Sequence, residues 1–181
     1  MYDIVVIGHG AAGLTAALAA AESGQAAGHT LRIAVIEQAP QGAHGGNTRF
    51  TPCYLRMAAP DCVDAGFVDE MIRVSGGCND RAYFERLANE APATIAWLQE
   101  HGVRFHTPDY YLSTGPARIQ PVGGGNSIVE ALTQAATDAG VEFIYETTAT
   151  TLRRHADGAI TGVSIDQAGK GRTLAAGAVV L

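Results

Sequence analysis

The hydrophobic positions fall into short blocks punctuated by glycine, and the blocks differ in period. Ile4 to Ile7 is apolar and β-branched, which predicts a strand buried on both faces. Gly8 to Gly13 is a glycine-rich turn. Leu14 to Ser23 is rich in alanine and leucine and predicts a helix, ended by Gly24 and Gly28 with His29 and Thr30 in the turn. Leu31 to Ile36 predicts a second buried strand with Glu37 at its carboxyl end. Together these segments make one β-α-β unit.

From Gln38 to about Pro60 no period is visible, and Pro40, Gly42, Gly45, Gly46, Pro52 and Pro60 predict a long irregular loop of the functional kind. Val63 to Val74 predicts a helix that Gly76-Gly77 breaks. Asn79 or Asp80 caps the next helix, which runs to His101 and stops at Gly102. Pro92 predicts a kink there, or two abutting helices. Val103 to Phe105 predicts a short strand, and Thr107 to Gln120 is rich in turn residues. Gly123-Gly124-Gly125-Asn126 leads into a helix from Ser127 to Ala139, followed by a strand at Val141 to Tyr145. Thr147 to Arg154 and Ala159 to Ile165 flank Asp157-Gly158, a hairpin signal. Arg172 to Leu181 predicts a final strand that breaks off in a rising apolar run, the pattern expected of a truncated chain.

The 181 residues suit about one domain on a prior of roughly 150 residues each. A hydrophobic fraction of 47% excludes wholesale disorder. The net charge of −6 and the absence of any basic cluster beyond Arg153-Arg154 argue against nucleic acid as a partner. No apolar run reaches the length of a membrane span or has the flanks of a signal peptide. Cys53, Cys62 and Cys78 are odd in number and lack C-x-x-C spacing, so a reducing, cytoplasmic setting is expected rather than a disulfide scaffold. The histidines show no metal-ligand spacing, and no metal is expected.

Gly8-His9-Gly10-Ala11-Ala12-Gly13 matches G-x-G-x-x-G in the context this pattern requires, between a strand and a helix, with the acidic Glu37 after the second strand. Gly8 permits the tight turn, Gly10 lets the backbone approach a pyrophosphate, and Gly13 lets the helix pack closely on the strand. The helix N-terminus, with free N–H groups and a positive dipole end, would meet the phosphates. Glu37 would accept hydrogen bonds from a ribose and disfavour a 2′-phosphate. These features alone do not separate NAD from FAD.

Asp3 to Ala17 resembles the start of the FAD-dependent fumarate reductase and succinate dehydrogenase flavoprotein family. Val35-Ile36-Glu37-Gln38, Gly45-Gly46-Asn47-Thr48, Gly76-Gly77 with Asn79-Asp80, Trp97-Leu98 with His101-Gly102-Val103, and Gly123-Gly124-Gly125 follow in the family's order. Within the family, Gly45 to Met57 and the Gly76-Gly77 helix pair are most similar to tricarballylate dehydrogenase, and 3-ketosteroid dehydrogenases are more distant. The resemblance implies a Rossmann-like α/β FAD-binding domain over residues 1–181, with a parallel sheet, helices and an added β-meander. It implies an incomplete domain, with the capping and substrate domain expected after Leu181, and so no catalytic residue to name here. It further implies that Gly8, Gly10, Ala11, Ala12 and Gly13 line the FAD pyrophosphate and that Glu37 and Gln38 meet the adenosine ribose. Gly45, Gly46, Asn47 and Thr48 would run toward the isoalloxazine, and Ala149 would hold the adenine edge through its backbone. Asn47 stands where succinate dehydrogenases carry the histidine that bonds FAD, which implies non-covalent FAD, with His44 as the rival attachment site. The implied activity is hydride transfer between the flavin and a small polycarboxylate such as tricarballylate or fumarate. The alternatives are a steroid substrate or a dinucleotide-binding module without turnover. An electron-transfer partner or a homo-oligomer would fit that reading.

Among the remaining polar residues, Arg49, Arg56 and Arg118 lie in predicted loops and could face a substrate carboxylate through the bidentate guanidinium. His9 is expected to point to solvent, His101 to sit at a helix C-terminus, and His106 and His155 to be surface residues. Trp97, Ile95 and Leu98 read as helix core, and Tyr110-Tyr111 as a loop pair that either covers the flavin or packs.

Overall fold

Six strands form the main sheet in this computed structural model, which describes residues 1–108 and 115–181. Tyr110-Tyr111 lies outside the described residues. In chain order the elements are β1 (Tyr2–Ile7), α1 (Ala11–Ala26), β2 (Ile33–Ile36), a 3-10 turn (Gln41–Ala43), α2 (Gly46–Phe50), β3 (Met57–Ala59), β4 (Cys62–Val63), α3 (Phe67–Val74), α4 (Arg81–Glu100), β5 (Phe105–His106), β6 (Gln120–Pro121), α5 (Gly125–Asp138), β7 (Glu142–Ile144), β8 (Thr147–Arg154), β9 (Ile160–Gln167) and β10 (Lys170–Val180). The chain groups into two compact units, residues 1–50 with 129–181, and residues 51–128.

The first unit is the α/β domain with the strand order β7-β2-β1-β10-β9-β8. β7, β2, β1 and β10 pair in parallel, and β10, β9 and β8 form the antiparallel meander. β10 serves both halves. Lys170 to Ala175 pair with β9, and Ala176 to Val180 pair with β1. Side chains alternate across a strand. Val5, Ala34 and Ile36 accordingly join Val163, Ile165, Leu174 and Ala176 in one buried cluster. Val6 faces α1, whose buried Leu14, Ala17, Leu18 and Ala21 recur at helical spacing. Burying each large aliphatic side chain of this kind stabilises the fold by roughly 1.5–3 kcal/mol.

The second unit is helical with two small antiparallel pairs, β3 with β4 and β5 with β6. α4 begins at Asp80, whose carboxylate accepts the Ala82 N–H at 2.9 Å. It packs through the buried Ile95 and Leu98.

The elements depart from the sequence expectations in four places. α1 does not stop at Gly24. The helix runs on to Ala26, and Gly24 is needed because a Cβ there would lie 2.9 Å from the Leu31 side chain. Residues 38–60 are not structureless, since they hold the 3-10 turn, α2 and β3. Arg49 ties that segment together by donating to the carbonyls of Gly42 (2.8 Å) and His44 (3.3 Å). Val63 belongs to a strand, and α3 starts only after a turn in which the Asp64 carboxylate accepts from Gly66. Pro92 neither ends nor splits α4, which is one 20-residue helix. The helix continues through Pro92 although propensity alone would break it there, with Ile95 and Leu98 buried beyond the proline. No described helix is long and apolar enough to cross a membrane.

Candidate functional site

The turn from β1 into α1 is built by steric necessity. Gly8 has φ +101°, a left-handed conformation that side chains rarely adopt, and its N–H donates to the Ile36 carbonyl at 2.8 Å. A Cβ on Gly13 would lie 2.0 Å from the Gly8 carbonyl oxygen, so only glycine lets the helix approach the strand so closely. Gly10 differs. A Cβ there would meet nothing closer than Thr48 Oγ1 at 3.7 Å, so the fold itself leaves that space open. Gly10 caps α1 without a side chain, so the cap residue itself occupies none of the first-turn N–H groups.

The structure brings the second glycine motif to this turn. Thr48 Oγ1 accepts the Ala11 N–H at 3.2 Å, and the Gly45 carbonyl lies near Gly10. Gly45 has φ +108° and is buried, with Val129 3.1 Å from where a Cβ would stand. Gly46 and Asn47 are exposed on α2, and Ala12 is exposed on α1.

Glu37 is almost fully buried beside the same turn. Its two carboxylate oxygens accept the N–H groups of His9 (2.9 Å) and Ala39 (2.7 Å), which fix the carboxylate while leaving lone pairs free. A cavity of about 240 Å³ lies against it, lined by Ile7, Gly8, Glu37, Gln38, Thr148 and Ala149 among others. Thr147 and Thr148, also in its wall, carried no signal in the sequence beyond standing next to Ala149. Their position follows from β8 starting where the Thr147 N–H donates to the Glu37 carbonyl at 2.9 Å.

His9 corrects the sequence reading. It is fully buried, not at the solvent surface. Its ring stands edge-on to His44 (4.3 Å between centroids), Phe143 (4.7 Å) and Tyr145 (5.6 Å), and Nε2 lies 3.3 Å from the Thr133 hydroxyl. Burial, reinforced by repulsion from His44 and opposed by Glu37, lowers its pKa to about 4, so the ring is neutral near pH 7. A motif position named only "x" gave no sign of this.

The three candidate arginines are largely committed within the fold. Arg49 binds the two carbonyls named above. Arg56 pairs with Glu70 at 2.6 Å and Asp64 at 3.4 Å. Arg118 lies 6.0 Å from the Tyr54 ring centroid. His101 is the C-cap of α4, while His106 and His155 are exposed. Ile95 and Leu98 are core, but Trp97 is half-buried against His101. Among the described residues no group of side chains could hold a metal ion.

Three comparisons bear on this geometry. The chain is 34% identical to the vinyl phenol reductase of Lactiplantibacillus plantarum over 95% of its length, and it spans 35% of that relative. The 3-ketosteroid-Δ4-(5α)-dehydrogenase of Rhodococcus jostii RHA1 superposes on 99% of the chain with a TM-score of 0.80 at 20% identity, the chain covering 45% of it. A flavocytochrome c3 fumarate reductase superposes on 99% with a TM-score of 0.78 at 22% identity, the chain covering 33% of it. Residues 3–181 match the FAD binding domain family. The glycine cradle, the fixed carboxylate and this match together make the chain a member of the FAD-binding-domain family of flavoproteins.

Proposed function

We propose that the chain is the FAD-holding part of an oxidoreductase that moves a hydride between the flavin and a small organic substrate. The observation that carries this reading is the convergence of Gly10, the α1 N-terminus and the Glu37 cavity. The open Gly10 position and the α1 amides fit a diphosphate, and Glu37 with the cavity beside it fits a ribose and adenine. Gly8, Gly10, Ala11, Ala12 and Gly13 would bind the diphosphate. Glu37 and Gln38 would hold the ribose hydroxyls, and the Ala149 backbone the adenine edge. Gly45, Gly46, Asn47 and Thr48 would carry the chain toward the ring system. The flavin supplies hydride acceptance when bound, and these residues orient it.

The FAD is non-covalent in this reading. Asn47 offers no nucleophile, and the His44 ring is packed on His9 with Nδ1 against the Gln41 carbonyl. The substrate domain lies outside residues 1–181, and the three free thiols favour a cytoplasmic setting.

On substrate class, two readings stand. The sequence resemblance carries a small polycarboxylate such as tricarballylate or fumarate. The commitment of Arg49 and Arg56 inside the fold, with a relative named for reducing vinyl phenols, favours a neutral unsaturated substrate instead. Reconstitution with FAD tests the cofactor assignment. The chain is expected to become yellow, and Glu37→Gln is expected to weaken FAD by roughly 1–3 kcal/mol, read by fluorescence titration. A chain that ignores FAD overturns it.

A further inference from the structure

The segments proposed to line the nucleotide meet behind it in one cluster of rings. His9, in the turn from β1 to α1, stands edge-on to His44 at 4.3 Å between centroids, and each of these rings lies 5.6 Å from Tyr145. His44 immediately precedes Gly45, whose carbonyl lies near Gly10. Tyr145 sits between β7 and β8, and its carbonyl accepts the Thr147 hydroxyl at 2.9 Å in the wall of the Glu37 cavity. One side chain therefore joins the segments assigned to the diphosphate, to the ring system and to the adenine. The His9 main chain holds a fourth point, because its N–H donates to the Glu37 carboxylate at 2.9 Å.

The hydrogen bonds fix which form of the ring does this. The Thr133 hydroxyl donates its one proton to the Val129 carbonyl at 2.6 Å. Toward His9 Nε2, 3.3 Å away, the same oxygen can only accept, which assigns the imidazole proton to Nε2. Nδ1 is left as a buried lone pair that meets no donor among the described residues. A second proton would have to sit there without an acceptor, in a site where burial disfavours the charge, His44 adds to the cost and Glu37 offsets part of it. The ring is thus held uncharged and acts by packing. A buried ring shared between loops removes conformational freedom from them before a ligand arrives, which favours binding.

We propose that His9 is a positioning residue for the flavin nucleotide: its uncharged ring, packed on His44 and Tyr145, locks the β1–α1 turn, the Gly45–Thr48 segment and the start of β8 into one preorganised cradle. The ring is fully buried, so it supports the cradle without touching the nucleotide. This role rests on the flavin reading above and adds to it a residue that the G-x-G-x-x-G pattern leaves unspecified.

The test is FAD titration of the whole chain by flavin fluorescence, with a thermal melt of each FAD-free variant beside it. His9→Ala is expected to weaken FAD about tenfold, and His9→Phe, which restores a ring without its nitrogens, to recover affinity to within about threefold of the parent chain. His44→Ala is expected to weaken FAD about tenfold while the melt stays close to that of the parent. The double variant His9→Ala/His44→Ala is expected to lie within about twofold of the weaker single variant, because both changes remove the same packing. A parent chain that does not bind FAD overturns the cofactor reading and this role with it. A parent chain that binds FAD, combined with undiminished affinity in His9→Ala, no recovery in His9→Phe, or losses that multiply in the double variant, overturns the role of His9 alone. If His9→Ala does not fold, His44→Ala decides, and undiminished affinity there overturns the proposal.

Discussion

The two units of this chain do their work with different atoms. In the first, the diphosphate would be met mainly by main-chain amides, with the Glu37 carboxylate on the ribose, and the side chains that matter most are the missing ones, at Gly8, Gly10 and Gly13. In the second, the features are made by charged side chains: the pairs Arg56 with Glu70 and Arg81 with Asp69, and the Asp80 carboxylate that accepts the Ala82 N–H. A backbone site is specified by where a Cβ is forbidden, so few residue types satisfy it. A side-chain site can be assembled from many residues far apart in sequence, so the first unit has a linear signature and the second does not.

That contrast can be broken most forcefully at the glycines. Gly13→Ala is expected to cost more than about 3 kcal/mol of stability, because its Cβ would overlap the rigid Gly8 carbonyl. Gly10→Ala is expected to shift stability by less than about 1 kcal/mol, because the added methyl has room, yet to weaken FAD roughly 10- to 100-fold by filling the approach to the diphosphate. Thermal melts and FAD titrations on the two variants separate packing glycine from ligand glycine. If both fail to fold, the distinction collapses.

Acidification comes next in size. The neutral His9 ring is favoured in the fold, with a pKa lowered to about 4 from 6.5. Between those values the unfolded chain binds the extra proton. Stability is therefore complete above pH 6.5 and is lost as pH falls toward 4, by roughly 2–3 kcal/mol from this residue. His9→Phe is expected to flatten that part of the pH profile in urea melts. A profile unchanged by the substitution would show that other groups govern it.

The smallest effect belongs to the second unit. Asp80→Ala is expected to cost about 1 kcal/mol through loss of the α4 cap. FAD affinity should stay constant if the two units carry separate tasks. A joint loss of α4 helicity and FAD binding would show that they do not.

By itself the sequence determined the β-α-β opening, the turn glycines, Glu37 and the hairpin at Asp157-Gly158, because each rests on local rules: period, forbidden φ, and glycine where a side chain cannot fit. It did not reveal that His9 is buried, that Pro92 lies inside an unbroken helix, or that Arg56 is consumed by Glu70 and Asp64. Only the tertiary structure decided these, because each depends on packing that local rules do not contain, with partners as far as 14 positions away for Arg56 (Glu70) and 124 for His9 (Thr133). Local propensity is worth at most a few kcal/mol at one residue, and packing against such distant partners outweighs it.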